Sequence, residues 1–116
     1  MVELSAEDTK LITLARATRL RVSARQGAAI RDDNGRTYAA ASLDLVSLEI
    51  SALGVCVAMA HASGARSLEA AVLLSDDSEI SLADRAILTE FGGPGVSLML
   101  ATPAGVVTEV STTLGN

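Results

Sequence analysis

The sequence predicts an α/β fold: a five-stranded mixed sheet covered by helices on both faces, in the order α-β-β-α-β-α-β-β. Three observations predict it. Asn34-Gly35 stands between two short apolar runs, the strongest local signal for an antiparallel hairpin. Leu68 to Leu74 is a continuous apolar run between turn residues, as an interior strand requires. Two helical stretches, one ending at Gly64 and one at Gly92-Gly93-Pro94-Gly95, alternate with strands, a pattern that packs helices onto a sheet.

Each element has its own justification. Ser5 and Asp8 have capping-box spacing, and Leu11, Leu14, Ala15 and Thr18 follow at helical intervals, so a first helix is expected over about 6–22. Arg16, Arg19, Arg21 and Arg25 form a basic cluster, read as a solvated helix face and its exit; the alternative is a docking patch for an anion or acidic partner. Residues 27–31 and 37–41 are expected to pair around Asn34-Gly35, where both turn residues tolerate positive φ. Ser42 to Ser63 is apolar almost throughout and ends at a C-capping Gly64. Its opening Leu-Asp-Leu-Val is poorly helical, so the helix is expected to start near Ser47 or Ser51 and to be buried on more than one side. A third helix is expected from Ser81 to Phe91, with Ser81 and Asp84 at N-cap and N3 spacing. Strands over 96–101 and 106–111 flank Thr102-Pro103-Ala104-Gly105, with Pro103 at i+1 and Gly105 at i+3 of the turn.

Composition narrows the classes. At 116 residues, 49% hydrophobic and 20% charged, the expectation is one globular domain over 1–116. Tyr38 and Phe91 are the only aromatic residues, so the core must be Ala, Leu, Val and Ile. A net charge of −5 does not draw the domain to nucleic acid or to an anionic membrane. No apolar run reaches roughly 18 residues, and Met1-Val2-Glu3-Leu4-Ser5 lacks the pattern of a secretory leader. With a single cysteine, Cys56, no internal disulfide is possible, which points to a reducing, cytoplasmic setting. One Cys and one His, His61, cannot make the usual four-ligand zinc site.

Several stretches, in this order and spacing, resemble the small homotetrameric cytidine deaminases. Gly27-Ala28-Ala29 followed by Gly35-Arg36-Thr37-Tyr38 resembles the family's first hairpin. Gly64 falls where the family has a glycine after its second helix, Ser75-Asp76 at the end of the third strand, and Thr89-Glu90-Phe91-Gly92 on the Glu-Phe closing the next helix. The resemblance spans about 5–111 and implies a cytidine deaminase-like three-layer sandwich. It also implies zinc held at two helix N-termini by a Cys-Ala-Glu and a Pro-Cys-x-x-Cys segment, with the Glu moving the proton of the metal-bound water.

This sequence departs from that pattern at the residues that carry the chemistry. Counting from Gly64 puts Cys-Ala-Glu on Ser51-Ala52-Leu53, and counting from Glu90-Phe91 puts Pro-Cys-x-x-Cys on Ile80-Ser81-Leu82-Ala83-Asp84. The ligand positions are therefore Ser51, Ser81 and Asp84, and the catalytic position is Leu53. Serine is a poor ligand for zinc, one carboxylate is not a zinc site, and leucine cannot carry a proton. Shifting the register to Cys56 puts Ala58 at the Glu position and leaves too short a helix, and Cys56 and His61 face different sides of one. They read as a small buried thiol and a histidine at a helix C-terminus. The nucleoside-binding segment falls on Ser42-Leu43-Asp44-Leu45, where Asp44 could meet ribose hydroxyls. Gly54 replaces an arginine of the family, whereas Arg85 is retained and expected to be structural or paired with Asp84.

The expectation is thus a deaminase-like protein without zinc and without deamination, acting as a homo-oligomeric (dimer or tetramer) scaffold or partner-binding module, with no cofactor. The alternatives are an active cytidine deaminase with an atypical zinc site, and a nucleoside or nucleotide sensor using a vestigial pocket of Asp44, Ser51, Ser81, Asp84 and Arg85.

Overall fold

The computed structural model describes residues 4–114. Residues 1–3, read above for a leader, and 115–116, the end of the expected 1–116 domain, lie outside the described residues. Helix α1 (Ala6–Val22) starts where the sequence expects it, with the Ser5 hydroxyl accepting the Asp8 N–H at 3.1 Å. Glu7 and Asp8 in its first turn and Arg19 and Arg21 in its last suit the helix dipole. It stops at Ser23, a non-glycine in the left-handed region at φ 53°, with the Ala24 N–H returning to the Arg19 carbonyl at 3.1 Å.

Strands β1 (Gly27–Asp32) and β2 (Thr37–Ala41) form the expected antiparallel hairpin, with Arg31 opposite Thr37. The turn differs in detail. Of Asn34-Gly35 only the glycine takes positive φ, at 82°. The Gly35 N–H donates to the Asp32 carbonyl at 3.1 Å and the Asp32 N–H to the Arg36 carbonyl at 2.8 Å, so three residues turn the chain rather than two. The hairpin of β6 (Ser97–Ala101) and β7 (Val107–Thr112) repeats this arrangement: the Gly105 N–H donates to the Thr102 carbonyl at 2.8 Å and Gly105 has φ 95°. There Pro103 and Gly105 hold the expected positions. Gly27 is required for a different reason. A Cβ on it would meet the Ala15 carbonyl oxygen at 2.5 Å, so α1 lies against β1 too closely for any side chain.

The main sheet runs β2-β1-β5-β6-β7, with β5 (Leu68–Leu74) in the centre, β6 (Ser97–Ala101) parallel to it, and the other pairs antiparallel, including β7 (Val107–Thr112). Alternation along β5 divides the core. Ala70, Val72 and Leu74 face α1, where they meet Leu11, Ile12 and Ala15; Ala71 and Leu73 face the other layer with Ile30, Leu98 and Leu100. That layer is α2 (Ala52–Ala62) and α3 (Leu82–Gly92). The core is aliphatic, as composition demands. Phe91, half-buried at the end of α3, packs on it and sets its ring edge-on to His61 at 5.8 Å.

Two differences from expectation concern the stretch before α2. Of the two expected starts, Ser51 is the cap: its hydroxyl accepts the Gly54 N–H at 3.0 Å. The residues before it form a small extra hairpin, β3 (Leu43–Asp44) and β4 (Glu49–Ile50), outside the five-stranded sheet. Two-residue strands leave no period to read, and no glycine, proline or asparagine marks the reversal. At its other end α2 closes on Gly64 as expected, with the Ala65 N–H bonded to the Ala60 carbonyl and the Gly64 N–H to that of His61. Arg19 also departs from the solvated-face reading. It is partly buried and donates to the carbonyls of Ala24 and Pro103, tying α1 to the β6–β7 turn.

One buried polar group organises the first hairpin. Asp32 is fully buried, and its carboxylate accepts the N–H groups of Asn34 (2.8 Å) and Arg36 (2.9 Å), the Arg36 guanidinium (3.2 Å) and the Tyr38 hydroxyl (2.9 Å).

Candidate functional site

The sheet and the two caps bring the N-termini of α2 and α3 together. Each helix has a serine cap followed by an orphan N–H three residues on: Ser51 with Gly54, and Ser81 with Asp84 at 3.1 Å. Asp84 is buried in the first turn of α3, where the helix dipole favours a carboxylate. It also receives the Ser51 hydroxyl at 2.6 Å. The first turn of α2 contains no acid of its own, so one carboxylate faces both positive helix ends. A further α2 donor, the Ala52 N–H, is met by the Gln26 side-chain oxygen at 3.1 Å. Gln26 is buried and held by mutual bonds with Ser42, whose hydroxyl accepts the Gln26 N–H.

Of the five residues expected to form a vestigial pocket, the structure unites Ser51, Ser81 and Asp84. Asp44 lies on β3, exposed, opposite Glu49 and 3.6 Å from the Arg25 guanidinium. Arg85 turns to another cleft, of about 610 Å³, beyond the carboxyl ends of β5 and β6, where Ser75, Asp76 and Thr102 line the wall. Among the described residues it makes no ion pair, so the expected pairing with Asp84 does not form. Leu53 is 1% exposed and packed in the core under α2. Sequence reasoning missed Gln26. A glutamine just before a strand has no periodic or capping signature, and its role rests on a contact with a helix 26 residues away.

The resemblance implies a zinc ion between these helix ends, and the donors do not fit one. Two are neutral hydroxyls already engaged as helix caps, one of them also donating to the carboxylate that would be the third. Zinc sites in proteins are built from thiolate, imidazole and carboxylate, almost always four-coordinate in structural sites. Among the described residues no three His, Cys, Asp or Glu side chains gather as a metal-binding group.

Cys56 does not supply the missing chemistry. It is fully buried one turn past Leu53, its sulfur 3.7 Å from the Tyr38 carbonyl. Burial pushes its thiol up to about 12, against a smaller opposing effect of the Ala40 N–H. Native protein at pH 8 is therefore expected to leave Cys56 unlabelled by a thiol reagent such as DTNB, with full reaction on adding denaturant. Rapid labelling of the folded protein would show the site to be open.

Comparisons with known proteins agree with the fold. A family model described as cytidine deaminase-like matches residues 4–105. Among curated proteins none matches the chain. Among solved structures, the cytidine deaminase from Burkholderia pseudomallei superposes with a TM-score of 0.80 at 20% identity, covering 95% of this chain and 94% of that one. The cytidine deaminase from Mycobacterium leprae gives 0.74 at 22% identity, over 94% and 95% of the two chains. The cytidine deaminase from Bacillus anthracis gives 0.67 at 14% identity, over 94% and 84%. At these identities the likeness is one of fold.

Proposed function

The chain belongs to the cytidine deaminase-like family, and from that premise we propose that it has given up hydrolytic deamination and serves as a homo-oligomeric scaffold or partner-binding module. The observation carrying this reading is the Ser51–Asp84 hydrogen bond across the two helix ends, at 2.6 Å, with Leu53 buried beside it. A cap-to-carboxylate bond is a structural joint: it ties the two helix ends together and sets the one carboxylate between them against a serine hydroxyl instead of a metal. Leu53 can neither accept nor deliver a proton.

The scaffold half of the reading draws on α2. Its mean composition is apolar all round, yet Ala58, His61 and Ala62 stand exposed and Gly54 is only half-buried. A helix of that kind is normally covered on more than one side. Among the described residues no helix is long and apolar enough to cross a membrane, and the acidic balance of the chain suits a protein partner better than nucleic acid.

The test is metal analysis of the purified protein together with ammonia release from cytidine and deoxycytidine. The expected result is no stoichiometric zinc and release at the rate of buffer alone. Stoichiometric zinc with turnover of either nucleoside would overturn the catalytic half of the proposal.

A further inference from the structure

We propose that the open edge of β2 is a peptide-binding site, where an extended segment of a partner protein, aliphatic on one face and acidic on the other, adds to the main sheet as a further strand. The inference rests on the partner-binding half of the reading above and names the surface and the partner's chemistry. Its starting point is the ladder between β1 and β2. Bonds at its two ends, from the Asp32 N–H to the Arg36 carbonyl at 2.8 Å and from the Ser42 N–H to the Gln26 carbonyl at 3.1 Å, set which residues face which way. Bonded pairs recur at every second residue of an antiparallel ladder. The register therefore makes Ile30–Tyr38 and Ala28–Ala40 the bonded pairs, and turns the N–H and C=O groups of Thr37, Ala39 and Ala41 away from β1. Among the described residues no strand lies beyond β2 to meet them. The opposite edge, β7, is guarded in the usual ways: it carries Glu109 and shifts register against β6. The β2 residues, Thr-Tyr-Ala-Ala-Ala, include no charge and no proline, and their register is unbroken.

Instead of being guarded, this edge is recessed. A groove of about 750 Å³ runs along Ala39-Ala40-Ala41, with Arg21 and Val22 of α1 in one wall and Val55 and Met59 of α2 in the other. A strand added there alternates its side chains between the two layers, as β2 does: Ala39 packs towards α1, Tyr38 and Ala40 towards α2. Side chains turned to α2 meet the apolar Val55 and Met59, and those turned to α1 meet Arg21. Three charged residues line the groove, and two of them, Arg25 and Asp44, pair with each other at 3.6 Å. Arg21 makes no ion pair among the described residues, so the groove is left with one positive charge. The occupant selected by unpaired backbone groups, an aliphatic wall and one free arginine is an extended peptide alternating aliphatic and acidic residues. The edge is about 17 Å long, room for about five such residues. A second copy of this chain fits poorly: its β2 is recessed in the same way, and two recessed edges do not approach to the roughly 4.8 Å of paired strands.

The experiment uses two acetylated, amidated peptides of about seven residues and one composition, the first alternating isoleucine with glutamate and the second carrying them in separate blocks. Binding is followed by fluorescence anisotropy and by amide exchange in NMR spectra, on wild type, Ala39→Pro and Arg21→Glu. Proline at 39 removes an outward N–H and leaves the bonds to β1 in place, a position where edge strands accept it; Arg21 is exposed, so its variant tests the site if the proline protein does not fold. In the free protein the Ala39 and Ala41 amides are expected to exchange fast and those of Tyr38 and Ala40 slowly. The alternating peptide is expected to slow Ala39 and Ala41, to bind at least about tenfold more tightly than the block peptide, and to lose about tenfold or more in either variant. Binding of neither peptide, equal binding of both, or binding that a folded variant leaves unchanged overturns the proposal. Protection of Ala39 and Ala41 that grows with the concentration of the free protein assigns the edge to a second copy and overturns it too. None of these outcomes touches ammonia release, so the loss of deamination stands or falls separately.

Discussion

Replacing Leu53 by glutamate, the residue of the resembling family at that place, is expected to remove about 4 kcal/mol or more of stability and to restore no ammonia release. Leu53 is 1% exposed in a packed aliphatic layer, so the change both forfeits leucine packing and forces a carboxyl group into an apolar site. Against a total of about 5–15 kcal/mol for a domain, that loss leaves much of the protein unfolded. The sign of its pH dependence is a further check. Burial raises the pKa of the new glutamate above its unfolded value of about 4.3, so the folded state binds more protons and the variant loses stability relative to wild type as pH rises. Leu53→Met, which conserves volume, is expected to cost under about 1.5 kcal/mol. Urea unfolding of the three proteins at several pH values measures all of this. A Leu53→Glu protein as stable as wild type at neutral pH would mean that the position opens into a wet pocket, and the structural-joint reading of the helix ends would fall with it.

Asp32→Ala is expected to be the other severe substitution, at about 3 kcal/mol, because it removes the buried carboxylate that the Asn34 and Arg36 N–H groups and the Tyr38 hydroxyl share as acceptor and empties its place in the hairpin. Burial by itself works to raise the Asp32 pKa. The Arg36 N–H, the Tyr38 hydroxyl, the Asn34 N–H and the Arg36 charge outweigh it and hold the carboxyl below its ordinary value. The unfolded chain therefore binds the proton more readily. The contribution of Asp32 is present above a pH of about 4 and is lost as pH falls through the lower, folded pKa. Unfolding curves from pH 7 down to pH 2 are expected to show this acid loss in wild type and a shallower one in Asp32→Asn, which starts from lower stability. Equal slopes would remove Asp32 from the acid response.

The parts of this molecule that could be read before its structure share one property: their signals are local. Asn34-Gly35, Ser81 with Asp84, and Gly64 each specify a turn or a helix end within a few residues, and each does so in the fold. The boundaries of α3, β6 and β7 differ from expectation by a single residue at one or both ends. What escaped depends on neighbours distant in sequence. The β3–β4 hairpin is too short for a period. Arg19 meets a turn 84 residues away. The candidate site was legible as a set of positions, through spacing from Gly64 and Glu90-Phe91, but the bond between Ser51 and Asp84 spans 33 residues and exists only because the sheet places two helix ends side by side. Asp32 lay in plain view within a polar turn, and nothing in the turn itself says that its side chain points inward.

The central position of β5 has a consequence for the chain before it folds. Every other strand of the main sheet pairs with a near neighbour in sequence or can wait at the edge, whereas Leu68–Leu74 must find both β1 and β6. Until it does, it is a seven-residue apolar run with one charge, and an unpaired apolar strand is a surface on which other chains can add. That charge is Glu69, which stays on the surface in the native state and pairs with Arg31. Its value to the folded protein is the modest one of a half-exposed ion pair. A charge inside an apolar run is also the kind of residue that disfavours strand-to-strand addition before the sheet closes.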